Sequence, residues 1–289
     1  MDPMHGFVEE IHHLDSRNFL IAIRRLADSL AFGMDRSAIL GSGIEYVQSR
    51  LYQTGDSVRS MDWKVTARTR KFFVKEYEAP KSLPCFLFID TSASMTVSSV
   101  ARSKYETALF IAGGLAFACL DRVSPVGIVS AGERGMRSDP TLSRNVVLRS
   151  LLELRRYRFD ERTRLSQKLN ELVATRPERS MFIVLSDFHE PESLPTLKRL
   201  AQRHDAVALQ FQDPAEITAR GAGLFRAREA ETGREFVTHG RSRWIDPEKV
   251  RGELKRAGID HLLVRTDRPY EHALRHLFKA RGVVGRGTR

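Results

Sequence analysis

From residue 85 onward, short apolar runs alternate with helix-forming stretches, and that alternation admits few architectures. The runs are Cys85–Ile89, Val126–Ser130, Met181–Ser186, Ala206–Phe211 and His261–Val264. Short, continuously apolar runs suit strands buried on both faces of a parallel sheet. Between them, Ser103–Lys104–Tyr105–Glu106 reads as a capping box opening a helix to about Leu120. Tyr105, Ala108, Leu109, Ala112 and Ala116 form its apolar face, and Gly113–Gly114 predicts close packing on the sheet. Further helices are expected at Ser143–Leu154, Thr163–Val173, 192–203 and 270–281. Upstream, Phe19, Ile23, Leu26 and Leu30 recur at helical spacing within Ser16–Phe32, and Gly33 follows as a stop. The pattern predicts an α/β fold with a doubly wound, mostly parallel sheet. Two segments depart from it. Residues 41–80 read as loops and short strands or turns. Leu224–Arg228 and Arg234–Thr238 flank EAETG and read as a β-hairpin with Gly233 in its turn.

Composition narrows the function classes. A chain of 289 residues, 42% of them hydrophobic, can bury a sizeable core. No run approaches the roughly 18 apolar residues of a membrane span. The opening MDPMHGFVEE lacks the basic-then-apolar pattern of a secretory signal. Cys85 and Cys119 both sit in apolar runs and are expected as buried, reduced thiols, which fits a cytoplasmic location. The net charge of +11 favours acidic partners. Its arginines and lysines are dispersed, with small clusters at Arg155–Arg158 and Arg241–Arg243, so a solvated surface is the plainer reading and nucleic-acid binding the weaker one.

The candidate chemistry lies where strands end. In an open α/β sheet, ligands bind outside the carboxyl ends of the strands. Asp90 follows Cys85–Ile89 directly, with Ser92 and Ser94 at alternate positions. Asp187 repeats that placement after Met181–Ser186, and Thr163 opens an expected helix between them. Asp90, Ser92, Ser94, Thr163 and Asp187 together supply two carboxylates and three hydroxyls, hard oxygens that suit Mg²⁺ or Mn²⁺. Taken singly, an Asp or Ser after a strand is more commonly a turn former or a helix cap.

In order and context, the D-x-S-x-S of Asp90–Ser94, the Thr163–Arg164–Leu165 step and the Asp187 that ends LSD resemble the metal-ion-dependent adhesion site of von Willebrand factor A domains. That resemblance implies a divalent cation held by these five residues, directly or through water, and a partner's acidic side chain completing its coordination. Upstream, Glu45, Arg50–Asp56, Val58–Lys64 and Ala67–Arg68 fit an R-x-Y-x-x-G-D-x-x-R-x-x-D-W-x-x-x-A-R block. This resembles the signature of the bacterial family called domain of unknown function 58. The two resemblances imply a segment 1–80 with an amino-terminal helix and the Arg-Tyr-Gly-Asp block packed on a main domain 81–281, then a flexible tail 282–289. They also imply a cytoplasmic adaptor working with a MoxR-type AAA+ ATPase, an acidic client protein or both, in chaperone-like maturation of other proteins. Within the block, Arg50, Asp56, Arg59, Asp62 and Arg68 are expected to form an ion-pair network, with Trp63 as apolar anchor; a binding surface is the alternative reading of the same residues.

Competing chemistries are weaker. A metal-dependent phosphohydrolase also places Asp at a strand end. Haloacid dehalogenase-type phosphatases begin with D-x-D, however, and Ser92 stands where the second carboxylate, the general acid, belongs. The chain has no G-x-S-x-G elbow, P-loop or Gly-rich dinucleotide fingerprint. His272 and His276 lie four apart without the glutamate of H-E-x-x-H and read as a solvated helix face, while His189 reads as a rim residue. A non-enzymatic adaptor is therefore the expectation.

Overall fold

The computed structural model describes residues 9–10, 16–32, 45–78, 83–218, 224–228, 235–239 and 246–281. The expected Gly33 stop, the Gly233 turn, the Arg241–Arg243 cluster and the tail 282–289 lie outside the described residues. The chain divides into two compact units. Met34–Ser82 form the smaller, and Met1–Gly33 with Leu83–Arg289 the larger.

The larger unit opens with β1 (Glu9–Glu10) and α1 (Ser16–Phe32). Phe19, Ile23, Leu26 and Leu30 of α1 are buried, as their spacing predicts. The smaller unit consists of β2 (Glu45–Leu51), α2 (Trp63–Thr69) and β3 (Phe73–Glu78), with β2 and β3 antiparallel. The sequence reading expected no helix at Trp63–Thr69. It forms because Asp62 caps it, accepting the Lys64 and Val65 N–H groups at 3.1 Å. Arg70, at φ 56°, closes it in the left-handed region.

The larger unit continues with β4 (Cys85–Ile89), α3 (Ala93–Thr96), α4 (Lys104–Leu120), β5 (Val126–Ser130), β6 (Arg137–Thr141) and α5 (Arg144–Glu153). There follow β7 (Arg156–Tyr157), α6 (Leu165–Thr175), β8 (Met181–Ser186), α7 (Ser193–Leu200), β9 (Asp205–Gln212) and α8 (Pro214–Thr218). The chain ends through β10 (Leu224–Arg228), β11 (Glu235–His239), α9 (Pro247–Arg256), β12 (Asp260–Arg265) and α10 (Glu271–Arg281). Six strands form one mixed sheet in the order β12-β9-β8-β4-β5-β6. All neighbours run parallel except β5 and β6. The five expected strands are all present. The polar, proline-containing β6 was not expected, and such a sequence is tolerated because it forms an edge. The hairpin forms between β10 and β11, pairing Leu224 with His239.

Helices cover both faces. One core combines the sheet with α1, α4, α5 and α10, and the other with α6, α7 and α9. Helix α9 was not expected. Asp246 caps it, accepting the Glu248 N–H at 3.1 Å, and Pro247 fills its first turn. Cys85 and Cys119 are both buried and unbonded. No helix among the described residues is long and apolar enough to cross a membrane.

The Gly113–Gly114 pair serves a different neighbour from the one expected. A Cβ on Gly113 would lie 2.5 Å from Ile23 Cγ2, and one on Gly114 2.5 Å from Leu26 Cδ2. The glycines let α1 approach α4; they do not seat α4 on the sheet. Gly113→Ala is therefore expected to destabilise the larger unit by about 1–3 kcal/mol through overpacking, despite a helix-propensity gain of about 1 kcal/mol. Urea unfolding of the variant, with and without Ile23→Ala to make room, checks this.

Candidate metal centre

Backbone hydrogen bonds between loops assemble the site. The Asp90 N–H donates to Leu185 O at 2.9 Å, and the Ala131 N–H to Ile89 O at 2.8 Å. Ala93 N–H donates to Glu161 O, and Arg164 N–H to Ala131 O, both at 2.7 Å. Thr163 itself forms an antiparallel bridge with Gly132. The carboxyl ends of β4, β5 and β8 and the loop before α6 are thus tied together. Thr163 lies two residues ahead of α6, in that loop; the sequence reading had placed it at the helix start.

Asp90 is buried, with Oδ1 accepting the Ser92 N–H at 3.0 Å and Oδ2 the Ser186 hydroxyl at 2.5 Å. Burial, then the nearby Asp187 charge, pushes its carboxyl up to about 7, against the smaller opposing pull of those hydrogen bonds. The Ser92 and Ser94 hydroxyls lie 3.1 Å apart and share one hydrogen bond. Thr163 Oγ1 is buried and has no hydrogen-bond partner. Buried hydroxyls seldom go unpaired; those of Ser29 and Thr266 are unpaired as well, and Thr163 is the one that belongs to the expected ligand set.

Asp187 is buried and already has a lysine and a histidine against it. Lys104 Nζ and His189 Nδ1 both sit 2.9 Å from its Oδ2. Burial acts to raise its carboxyl, but Lys104 and His189 outweigh it and hold the group well below the usual range. Lys104 is 3% exposed at its side chain, and its ammonium also meets Glu216 Oε1 of α8 at 2.6 Å. Burial would lower the Lys104 ammonium, yet Asp187 and Glu216 together raise it. His189 is raised in the same way, Asp187 overcoming its desolvation. Phe188 between them sits at φ 57° and is buried, a strained conformation for a bulky residue and one that clusters at functional sites.

A second layer braces the loops. Thr91 Oγ1 donates to Glu161 Oε1 at 2.6 Å, and Arg134 Nε meets Glu161 Oε2 at 2.7 Å. A Cβ on Gly132 would come within 2.3 Å of both Glu161 Oε1 and Thr91 Oγ1, so only glycine fits there. Asp213 accepts the Ser99 N–H at 2.9 Å and the Ser99 hydroxyl, fastening the loop after β9 to the loop before α4.

The structure thus ties together the loops carrying all five expected residues. It adds Lys104, Ser186 and Glu216, which the sequence reading missed. Lys104 is the first residue of α4 and reads in the sequence as part of the Ser103–Glu106 capping box. Ser186 was counted as strand, and Glu216 carried no signal. Among the described residues, no three His, Cys, Asp or Glu side chains form a metal-holding group. The expected set contains only two carboxylates and depends on hydroxyls for the rest. The orphaned Thr163 hydroxyl, the Ser92–Ser94 pair and the buried Asp90 carboxylate, on segments tied together by backbone hydrogen bonds, are hard-oxygen groups of the kind a divalent cation takes. Asp187, engaged by Lys104 and His189, fits better as a ligand through water.

Two mycobacterial proteins are each 29% identical over 252 residues, covering 85% of this chain and 77% of theirs. They are described as "Uncharacterized protein Rv1480" of Mycobacterium tuberculosis and "Uncharacterized protein Mb1516" of Mycobacterium bovis. Among solved structures, an "Uncharacterized Membrane Spanning Protein from Vibrio fischeri" is 19% identical, with 68% of this chain and 96% of that one covered and a TM-score of 0.22. The Deinococcus radiodurans RO (RSR) protein is 13% identical, with 96% and 50% covered and a TM-score of 0.36. Neither superposition carries an argument about fold. The family model described as "Protein of unknown function DUF58" matches residues 48–261, well over half of the sequence and including most of the Arg-Tyr-Gly-Asp block, and the chain belongs to that family.

Proposed function

We propose that the chain is a non-enzymatic, divalent-cation-dependent protein-binding adaptor, with a von Willebrand factor A-like larger unit that holds Mg²⁺ or Mn²⁺. The observation that carries this reading is the buried Thr163 hydroxyl without a partner, at the place where the β4, β5 and β8 loops are bound together. Asp90, Ser92, Ser94 and Thr163 would hold the cation, and Asp187 would act through water. The cation's part, when bound, is to attract a carboxylate oxygen from an acidic partner.

The charges around the site favour such capture. Asp187 is neutralised by Lys104, so little anionic charge remains to quench a bound cation. An under-neutralised cation draws an incoming Asp or Glu, and the net charge of +11 steers an acidic partner toward the chain. Asp90, strained upward by burial, gains from any cation that favours its ionised form. Catalysis is less well served. Ser92 stands where a phosphatase needs its general acid. The partner is proposed to be a MoxR-type AAA+ ATPase, an acidic client or both, in the cytoplasm, where two buried free thiols stay reduced.

The test is pull-down of a purified MoxR-type ATPase from the same genome, with 2 mM Mg²⁺ or with EDTA, beside a phosphatase assay. Capture that needs Mg²⁺ and fails with Asp90→Ala, without turnover, is expected. Robust phosphate release abolished by Asp90→Ala would overturn the adaptor reading. Strongly salt-dependent DNA binding, indifferent to metal and to Asp90, would replace it with a nucleic-acid role.

A further inference from the structure

The smaller unit turns its usual patterning inside out. Leu51, Tyr52, Val58, Trp63 and Phe72 are 54%, 39%, 65%, 61% and 63% exposed. They make up nearly half of the exposed large apolar side chains among the described residues, yet come from a stretch of about twenty residues. Trp63, expected as an anchor, is the clearest reversal. The backbone brings four of them close together. Tyr52 N–H donates to Phe72 O at 2.9 Å, and Asp62 N–H to Phe73 O at 2.8 Å. The start of β3 therefore lies between the end of β2, with Leu51 and Tyr52, and the residue before Trp63.

The polar groups beneath them are used internally. Arg50 holds Asp56 with two hydrogen bonds of 2.8 and 2.7 Å, and Asp56 also accepts the Gln53 N–H at 2.8 Å. Asp62 is committed to its capping bonds and to the Ser49 hydroxyl at 2.6 Å. Of the expected five-residue ion-pair network, only Arg50–Asp56 forms among the described residues. Arg59, Lys64, Arg68, Arg70 and Lys71 are all exposed, and no carboxylate among the described residues pairs with them. The unit is thus a braced scaffold presenting apolar side chains among exposed cations that no carboxylate of the described residues pairs with.

We infer that this part of the smaller unit, where Tyr52 and Phe72 are cross-strand neighbours and Trp63 opens α2 next to the Asp62–Phe73 bond, is a docking surface for an acidic protein segment that carries apolar side chains, engaged without any cation at Asp90. Large apolar side chains exposed together in one short stretch, in place of scattered singly, mark interaction sites, and tryptophan, tyrosine and arginine are the residues that dominate protein–protein binding energy. The five cations select glutamate or aspartate around the apolar contacts. The same charges disfavour a second copy of this chain. Nucleic acid would stack on the aromatics but gain nothing from Leu51 and Val58. A membrane surface is usually met by an extended amphipathic helix, whereas these side chains come from strand ends, a turn and one helical residue.

The test uses the full chain and a fluorescein-labelled 14-residue peptide in which six glutamates flank leucines and a phenylalanine. Anisotropy is read with EDTA present, for wild type, Trp63→Ala, the Arg59→Ala/Arg68→Ala pair and Asp90→Ala. The peptide is expected to bind wild type and Asp90→Ala equally. It should bind Trp63→Ala and the arginine pair at least tenfold more weakly, with Trp63→Phe restoring most of the loss. A peptide with serines in place of the apolar residues should bind as weakly to wild type as the original does to Trp63→Ala. The inference is overturned if Trp63→Ala binds like wild type, if the serine peptide binds equally well, or if phosphatidylserine vesicles or single-stranded DNA engage Trp63 in preference to the peptide. Because the assay is run without metal, failure of the cation site leaves it unaffected.

Discussion

Lys104→Met is expected to destabilise the larger unit by about 3–5 kcal/mol, the cost of removing one partner from a buried ion pair. The Lys104 side chain is 3% exposed and its ammonium is paired with both Asp187 and Glu216. Without it, Asp187 keeps only His189, which is about one third exposed and charged only when protonated. The shift should appear as a lower urea midpoint with an unchanged slope. Adding Asp187→Asn and Glu216→Gln should recover much of the loss, because no unpaired buried charge then remains. Millimolar Mg²⁺ should recover part of the loss in the single variant, since a cation bound beside Asp187 stabilises the folded state by mass action. A lysine that is merely a solvated neighbour of the helix cap would give a change within about 0.5 kcal/mol.

Thr163→Val should move stability and cation binding in opposite directions. Valine keeps the shape of threonine and removes the hydroxyl. Burying a hydroxyl without a partner costs about 1–3 kcal/mol, so the metal-free variant should be more stable than wild type by about 1 kcal/mol. The same change removes a proposed ligand and should weaken Mg²⁺ or Mn²⁺ at least tenfold. A hydroxyl serving only the local turn gives the other pattern, lower stability and no effect on metal. Thermal unfolding with and without Mg²⁺ separates the two.

What the sequence made legible follows from how local each signal is. The five strands were readable because continuous apolar runs of this length have few other uses. Asp90 and Asp187 were readable because each follows such a run directly. Lys104 was not, because its meaning depends on Asp187 and Glu216, 83 and 112 residues away. Beside Ser103 it looked like part of a helix cap, and Ser103 does cap, accepting the Glu106 N–H at 3.0 Å. Gly113–Gly114 signalled a close approach but not its partner, since a missing side chain says nothing of what fills its place. Trp63 misled for the converse reason. An apolar side chain beside alternating charges suggests an anchor, but Arg50 and Asp56 pair with each other, Asp62 caps α2, Arg59 and Arg68 stay exposed, and so does the indole.

The most direct measurement is a Mn²⁺ titration of the full chain followed by electron paramagnetic resonance of the free ion, for wild type, Asp90→Ala and Thr163→Val, with circular dichroism to confirm that each is folded. One Mn²⁺ should bind wild type, and binding should be weakened at least tenfold in both variants. Equal binding by all three folded proteins, or no binding by wild type, would contradict a cation centre built on Asp90, Ser92, Ser94 and Thr163.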